Sequence, residues 1–270
     1  MIDRHQYNEQ GYVCLRDFID SGQVDLIRAQ AKEIFLSQMR RLGLCGSEPL
    51  SEEAFERGMY ALFEADLQAF TNCGKHAQHL ISLHRLSLDE RIVALLRELG
   101  LDAPNISTRP VLYFNSPRLA KKEVYHRLSP HQDWRSMQGS LDSVVVWVPL
   151  VRIDRALGAL EVIPGSHRQG LLPAAMEDGY GHLATAVDAA AFVPIEVNKG
   201  DALAFSTFLV HQSGWNVTHS IRWSCHFRYN NLSETTFIHR GLPHPYVYRP
   251  TPELVTPGFP NPDQVGAIFG

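Results

Sequence analysis

Cysteine is scarce in this chain: 270 residues hold four, Cys14, Cys45, Cys73 and Cys225, without paired or Cys-x-x-Cys spacing. The pattern argues against a disulfide framework or a thiolate zinc site and is that of reduced thiols in a cytoplasmic protein. Long apolar runs are also missing. No stretch approaches the roughly 18 apolar residues of a membrane helix, and Met1 to Asp20 contains no apolar run of signal-peptide length. Positive charge is not in excess either. With a formal net charge of −4, the chain carries no electrostatic footprint for nucleic acid. What remains is a protein with a small-molecule substrate and neither a membrane nor a nucleic-acid partner. Sequons at Asn105, Asn216 and Asn231 are read as unmodified asparagines.

At 270 residues and 44% hydrophobic composition, one domain with a well-buried core is expected over 1–270. It divides into a mainly helical part (1–104), a β core (105–232) and a Pro-rich tail (233–270). In the first part Ile19, Val24, Ile27, Ile34 and Phe35 recur at helical spacing after an Asp20-Ser21 start signal, with Gly43 as a stop. A second helical stretch begins near Ser51. A third is predicted to open at Ser87, with Glu90 completing a capping box and Gly100 ending it. From Asn105 the pattern changes to short segments rich in β-branched and aromatic residues between Pro and Gly turns: 107–115, 143–150, 159–163, 192–197, 202–205 and 221–229. Short strands without βαβ alternation point to a mainly β fold with N-terminal helices, its core an antiparallel double sheet curled into a jelly roll. A loop is expected over 170–191.

Within the strand-rich region lies Pro130-His131-Gln132-Asp133-Trp134, followed downstream by His211-Gln212-Ser213 and Arg222. Two histidines and one carboxylate are the ligand set of a non-haem iron(II) site that keeps coordination positions open. On a strand, residues i and i+2 share a face, so His131 and Asp133 could grip one ion while Gln132 points away. In a chain with thirteen histidines such a pair also arises as a solvated strand edge. Arg222 changes the balance: eleven residues after His211, it lies on the return strand of an antiparallel pair and could present a guanidinium fork to a carboxylate.

Four blocks carry a resemblance: Pro130 to Trp134, Val146-Trp147-Val148-Pro149-Leu150, Gly158 through His167, and His211 to Asn216 with Arg222. In order and spacing they resemble the iron(II)- and 2-oxoglutarate-dependent oxygenases of the phytanoyl-CoA dioxygenase type, which include ectoine hydroxylase. The resemblance covers 105–229. It implies a double-stranded β-helix, cupin-like core with Fe(2+) held by His131, Asp133 and His211, and with 2-oxoglutarate and O2 as co-substrates. It further implies that Arg222 pairs with the distal carboxylate of 2-oxoglutarate and that Ser213 adds a hydrogen bond to it. Tyr113 and Asn115, on one face of the preceding strand, match positions of polar contacts to the co-substrate. Some halogenating relatives replace the ligating carboxylate with a small residue; Asp133 is present, so hydroxylation is the expected outcome.

Arg135, Gln138 and Trp134 are nearest the metal in sequence and are the first candidates for substrate contact. Trp215 is a second candidate wall. The run from Arg118 to Arg135 is rich in basic residues, including Lys121, Lys122 and Arg127, and a basic rim there would suit an anionic substrate. His167 is read as part of a Pro-Gly-Ser-His turn, and His126, His182, His219, His226 and His239 show no ligand spacing. Two rival classes stay open: a cupin-like isomerase or lyase that binds a metal without turning over 2-oxoglutarate, and a binding module that has lost catalysis.

Overall fold

The computed structural model describes residues 2–120, 127–177 and 180–244, with Asp263 and Ala267. Helices α1 (Arg4–Gln10), α2 (Ser21–Arg41), α3 (Glu52–Ala65), α4 (Leu67–Ala77), α5 (Ile81–Ser87) and α6 (Glu90–Glu98) fill most of the N-terminal part. Asp20 starts α2, its side chain accepting from Gly22 and Gln23, and Ser51 starts α3 by accepting from Ala54. Both satisfy orphan N–H groups of a first turn. The expected capping box at Ser87 does not form. Ser87 closes α5, its hydroxyl donating to the His84 carbonyl, and Asp89 caps α6 two residues later.

The strands are β1 (Tyr12–Leu15), β2 (Pro104–Ile106), β3 (Val111–Asn115), β4 (Val144–Pro149), β5 (Leu160–Val162), β6 (Ala174–Glu177), β7 (Tyr180–Leu183), β8 (Val193–Ile195), β9 (Ala202–Ser206), β10 (His211–Ser213) and β11 (Arg222–Asn231). A larger antiparallel sheet runs β1-β9-β4-β11, with β2 and β3 sharing the far edge of β11. A smaller antiparallel sheet runs β10-β5-β8. Helical residues outnumber strand residues, so the β description belongs to the core rather than to the whole chain.

Several expectations are corrected here. The expected strand over 107–115 begins only at Val111, as β3, because Pro110 cannot donate to a ladder, and the separate strand β2 lies ahead of that range. The loop over 170–191 contains the β6–β7 hairpin. The N-terminal part contributes β1 as an edge of the larger sheet, paired with β9. The tail begins with a short helix, α8 (Thr235–His239), capped by Glu234.

Period-2 alternation makes the larger sheet a partition. On β4, Val144, Val146 and Val148 pack with the helices, while Val145 and Trp147 pack toward the smaller sheet. On β11, Trp223, Cys225, Phe227 and Tyr229 face the helices. Arg222, His226 and Arg228 open onto a cavity on the other side. The helical side is sealed by aromatic contacts: Phe114 lies 5.3 Å from Phe35, edge to face, and 5.2 Å from Trp223. Covered on both sides, all of β4 is buried, which is why it reads as a continuous apolar run rather than an alternating one.

Candidate active site

The cavity lies between the sheets and is lined from both, by Val145 and Phe205 of the larger and by Leu160 and His211 of the smaller. His131 reaches it from an extended segment that bridges to His211, each backbone N–H donating to the other's carbonyl at 3.0 and 3.1 Å. Asp133 is not on a strand. Its backbone is helical, it stands just before α7 (Trp134–Met137), and the turn into that helix brings its carboxylate back beside His131. The i and i+2 residues thus converge through a bridge followed by a helical turn rather than through one pleat.

The ligand atoms of His131, Asp133 and His211 all lie within 4.8 Å of one another. Asp133 Oδ1 is 3.5 Å from His131 Nε2 and 4.0 Å from His211 Nε2. Ligands about 2.1 Å from one ion at right angles would stand roughly 3 Å apart, so a slight contraction closes the triad. The imidazoles are oriented for it. His131 Nδ1 lies 2.7 Å from the Ser129 carbonyl and His211 Nδ1 lies 2.9 Å from the Leu209 carbonyl. If each Nδ1–H donates to its carbonyl, both Nε2 lone pairs face the cavity.

Charge supports the same reading. Burial alone would raise the Asp133 pKa, but the Arg228 guanidinium and the two imidazoles outweigh it and hold the carboxyl well below its usual range. Arg228 Nε donates to Asp133 Oδ2 at 2.9 Å. Burial and the neighbouring His131 push the His211 imidazole down to about 4, so it is neutral near pH 7 and able to ligate.

Gln132 does point away, and it works as a clamp. Its amide donates to the Gly170 and Phe208 carbonyls at 2.8 and 2.6 Å and accepts from Leu172 N–H at 2.8 Å.

Farther along the cavity stands Arg222, buried to 2% exposure. Nη1 donates to the Gly158 carbonyl at 2.5 Å and Nη2 to Ser213 Oγ at 3.2 Å, while Nε has no partner. No carboxylate pairs with it among the described residues. Tyr113 lies 5.6 Å away under the guanidinium and lines the cavity. Asn115, paired in register with Arg222, donates to the Tyr113 hydroxyl and gives its carbonyl to Asn216. A buried guanidinium with an orphaned N–H, next to convergent imidazoles and a carboxylate, fits a metal ion with an acid that chelates it and ends in a second carboxylate.

The substrate candidates fall elsewhere. The α7 turn carries them off the cavity wall. Trp134 stacks on Phe208 at 5.4 Å and donates to the Ser140 carbonyl; Arg135 is exposed and donates to the Leu172 carbonyl. Gln138 ends α7 with φ +49° and gives its carbonyl to Arg240. Trp215 is 68% exposed, with Arg127 stacked on it at 4.4 Å. Arg118 lies over Tyr60, and 121–126 of the basic run fall outside the described residues. His167 Nε2 donates to the Asn8 carbonyl, tying its turn to α1. In place of these candidates, His226 and Arg228 line the cavity. Period 2 counted from Arg222 along the expected strand would have pointed to both.

A family model described as "Phytanoyl-CoA dioxygenase (PhyH)" matches residues 7–224. The chain belongs to the phytanoyl-CoA dioxygenase family. It is an oxygenase-type enzyme of the class that depends on iron and 2-oxoglutarate, with dioxygen as the third reactant. Human peroxisomal phytanoyl-CoA dioxygenase is 26% identical over 243 residues, covering 83% of this chain and 67% of that one. A probable phytanoyl-CoA dioxygenase of Caenorhabditis elegans is 31% identical over 259 residues, covering 86% and 78%. The fold is shared with the epimerase SnoN from nogalamycin biosynthesis, at TM-score 0.53, 21% identity and 84% and 81% coverage. It is shared too with EctD from S. alaskensis, at TM-score 0.54, 19% identity and 86% and 77% coverage. Among the described residues, no helix is long and apolar enough to cross a membrane.

Proposed function

We propose that this family member hydroxylates a small or medium-sized polar metabolite, coupled to oxidative decarboxylation of 2-oxoglutarate to succinate and carbon dioxide. His131, Asp133 and His211 hold the iron. When bound, iron supplies the oxidising chemistry, and the protein supplies position and dryness. Arg222 and Ser213 hold the distal carboxylate of 2-oxoglutarate, with Tyr113 and Asn115 along the same wall. The two facing antiparallel sheets are read as a double-stranded β-helix whose inner apolar side chains, Val145, Trp147, Leu160 and Phe205, keep water from the reacting centre. The observation that carries the reading is the buried Arg222, which lacks a carboxylate partner among the described residues and stands beside the triad.

The test is turnover of 2-oxoglutarate followed by NMR. Succinate should form only with iron(II) and dioxygen present, even without a substrate, and His211→Ala should abolish it while the far-UV circular dichroism is retained. Metal binding without any succinate would favour the cupin-like isomerase or lyase instead. Hydroxylation itself is read from incorporation of one atom of labelled dioxygen into the product. An unlabelled product would point to epimerisation or ring closure, as in fold neighbours described as an epimerase and a carbocyclase.

A further inference from the structure

The cavity contains a second arginine, Arg228, to which the proposed co-substrate site assigns no role. Arg228 stands six residues beyond Arg222 on the same face of β11, and the two guanidinium groups hold different partners: Arg222 the Gly158 carbonyl and Ser213, Arg228 the carboxylate of Asp133. Of its donors only Nε is committed, to Asp133 Oδ2. Nη1 and Nη2 have no hydrogen-bond partner among the described residues, and the side chain keeps 14% exposure. Asp133 is the sole carboxylate among the described side chains that line the cavity. Once a divalent ion, the 2-oxo diacid, Asp133 and Arg222 are together, their charges cancel. Arg228 is then the uncompensated charge in a largely apolar enclosure, where an unmatched charge is costly.

We propose that Arg228 is the substrate-recognition residue, and that its free guanidinium edge binds the anionic group of a singly charged substrate, a monocarboxylate with an apolar body, beside the metal. His226, one pleat back on the same face, stands next to that anion on the cavity wall. The basic rim expected from 118–135 is not needed: the selecting cation is inside. This inference rests on the proposed iron and 2-oxoglutarate site.

The test uses the full chain with Mn(II) in place of iron, saturated with 2-oxoglutarate, and hexanoate and hexanamide as probes. The ion's paramagnetism relaxes the protons of whatever binds close to it. Hexanoate should be relaxed, and hexanamide should bind about tenfold more weakly or less, as expected for loss of one charge-assisted pair. Arg228→Gln should bring the two probes level, and Arg228→Lys should restore part of the preference. Equal relaxation by both probes in the wild type, or a hexanoate preference that survives in Arg228→Gln, would overturn the proposal. So would a hexanoate effect that disappears as 2-oxoglutarate is raised, since that would place it at Arg222. The wild-type comparison decides even if a variant fails to fold. If the protons of 2-oxoglutarate itself are not relaxed, the underlying site reading fails, and that outcome is distinct from failure of the Arg228 assignment alone.

Discussion

Arg222 and His211 are each held by partners that predict how their loss would be felt. Arg222→Ala should raise the 2-oxoglutarate concentration for half-maximal succinate release by one or more orders of magnitude, since removing one member of a buried charged pair costs roughly 2–5 kcal/mol. Arg222→Lys should recover only part, because an ammonium cannot fork onto two oxygens while also holding the Gly158 carbonyl. An unchanged requirement in Arg222→Ala would remove the role. For His211, the folded value of about 4 lies below the ordinary 6.5. Between these values the unfolded chain takes up a proton that the folded metal-free protein refuses, so stability falls as pH falls through this window and is flat above it. The contribution lost between pH 7 and pH 5 is about 2 kcal/mol, and His226, also lowered by burial, acts in the same sense. Asp133, with its depressed value, gives way only at lower pH. Urea denaturation of metal-free protein at the two pH values, against His211→Ala as the reference without that slope, measures it.

At the scale of elements, what could be read from the sequence and what could not divide by range. The triad and Arg222 sit in short blocks whose spacing is local, and most of the core strands follow from β-branched runs between turns. The Arg228–Asp133 contact joins residues 95 apart in sequence and depends on the register of β11 against β4, which local pattern does not specify. The substrate candidates Trp134, Arg135 and Gln138 lie away from the cavity lining for a related reason: a four-residue helix, α7, follows Asp133, too short for periodicity to reveal. Gly158 shows how tightly a turn can be bound to the site. Its φ is +84°, and an added Cβ would come within 2.8 Å of the Gly214 carbonyl oxygen, backbone that cannot swing aside. Gly158→Ala should therefore cost about 1–3 kcal/mol of stability and, by moving the carbonyl that Arg222 holds, raise the 2-oxoglutarate requirement. Chemical denaturation and succinate kinetics on the same preparation check both.

For the whole molecule, the helices and the cavity share one wall. Trp223, with no measurable exposure, is among the largest buried side chains and belongs to the helical core, while its neighbour Arg222 belongs to the cavity. Trp223→Ala should lower unfolding free energy by about 3–5 kcal/mol, read from the urea midpoint at constant slope. That the chain would have a helical layer and a strand-rich core was legible from its two hydrophobic periods. The presence of β1 in the N-terminal part was not, because a four-residue strand acquires its identity only by pairing with β9, some 190 residues away.

The alternation along β11 also limits how this enzyme can diversify. Substitution at 226 or 228 alters the cavity lining and leaves the ladder intact. Loss or gain of a single residue in the strand instead exchanges its faces, sending guanidinium groups into the aromatic core and indoles into the cavity. Point changes are therefore the open route to new substrates in this strand, and length changes are confined to the loops.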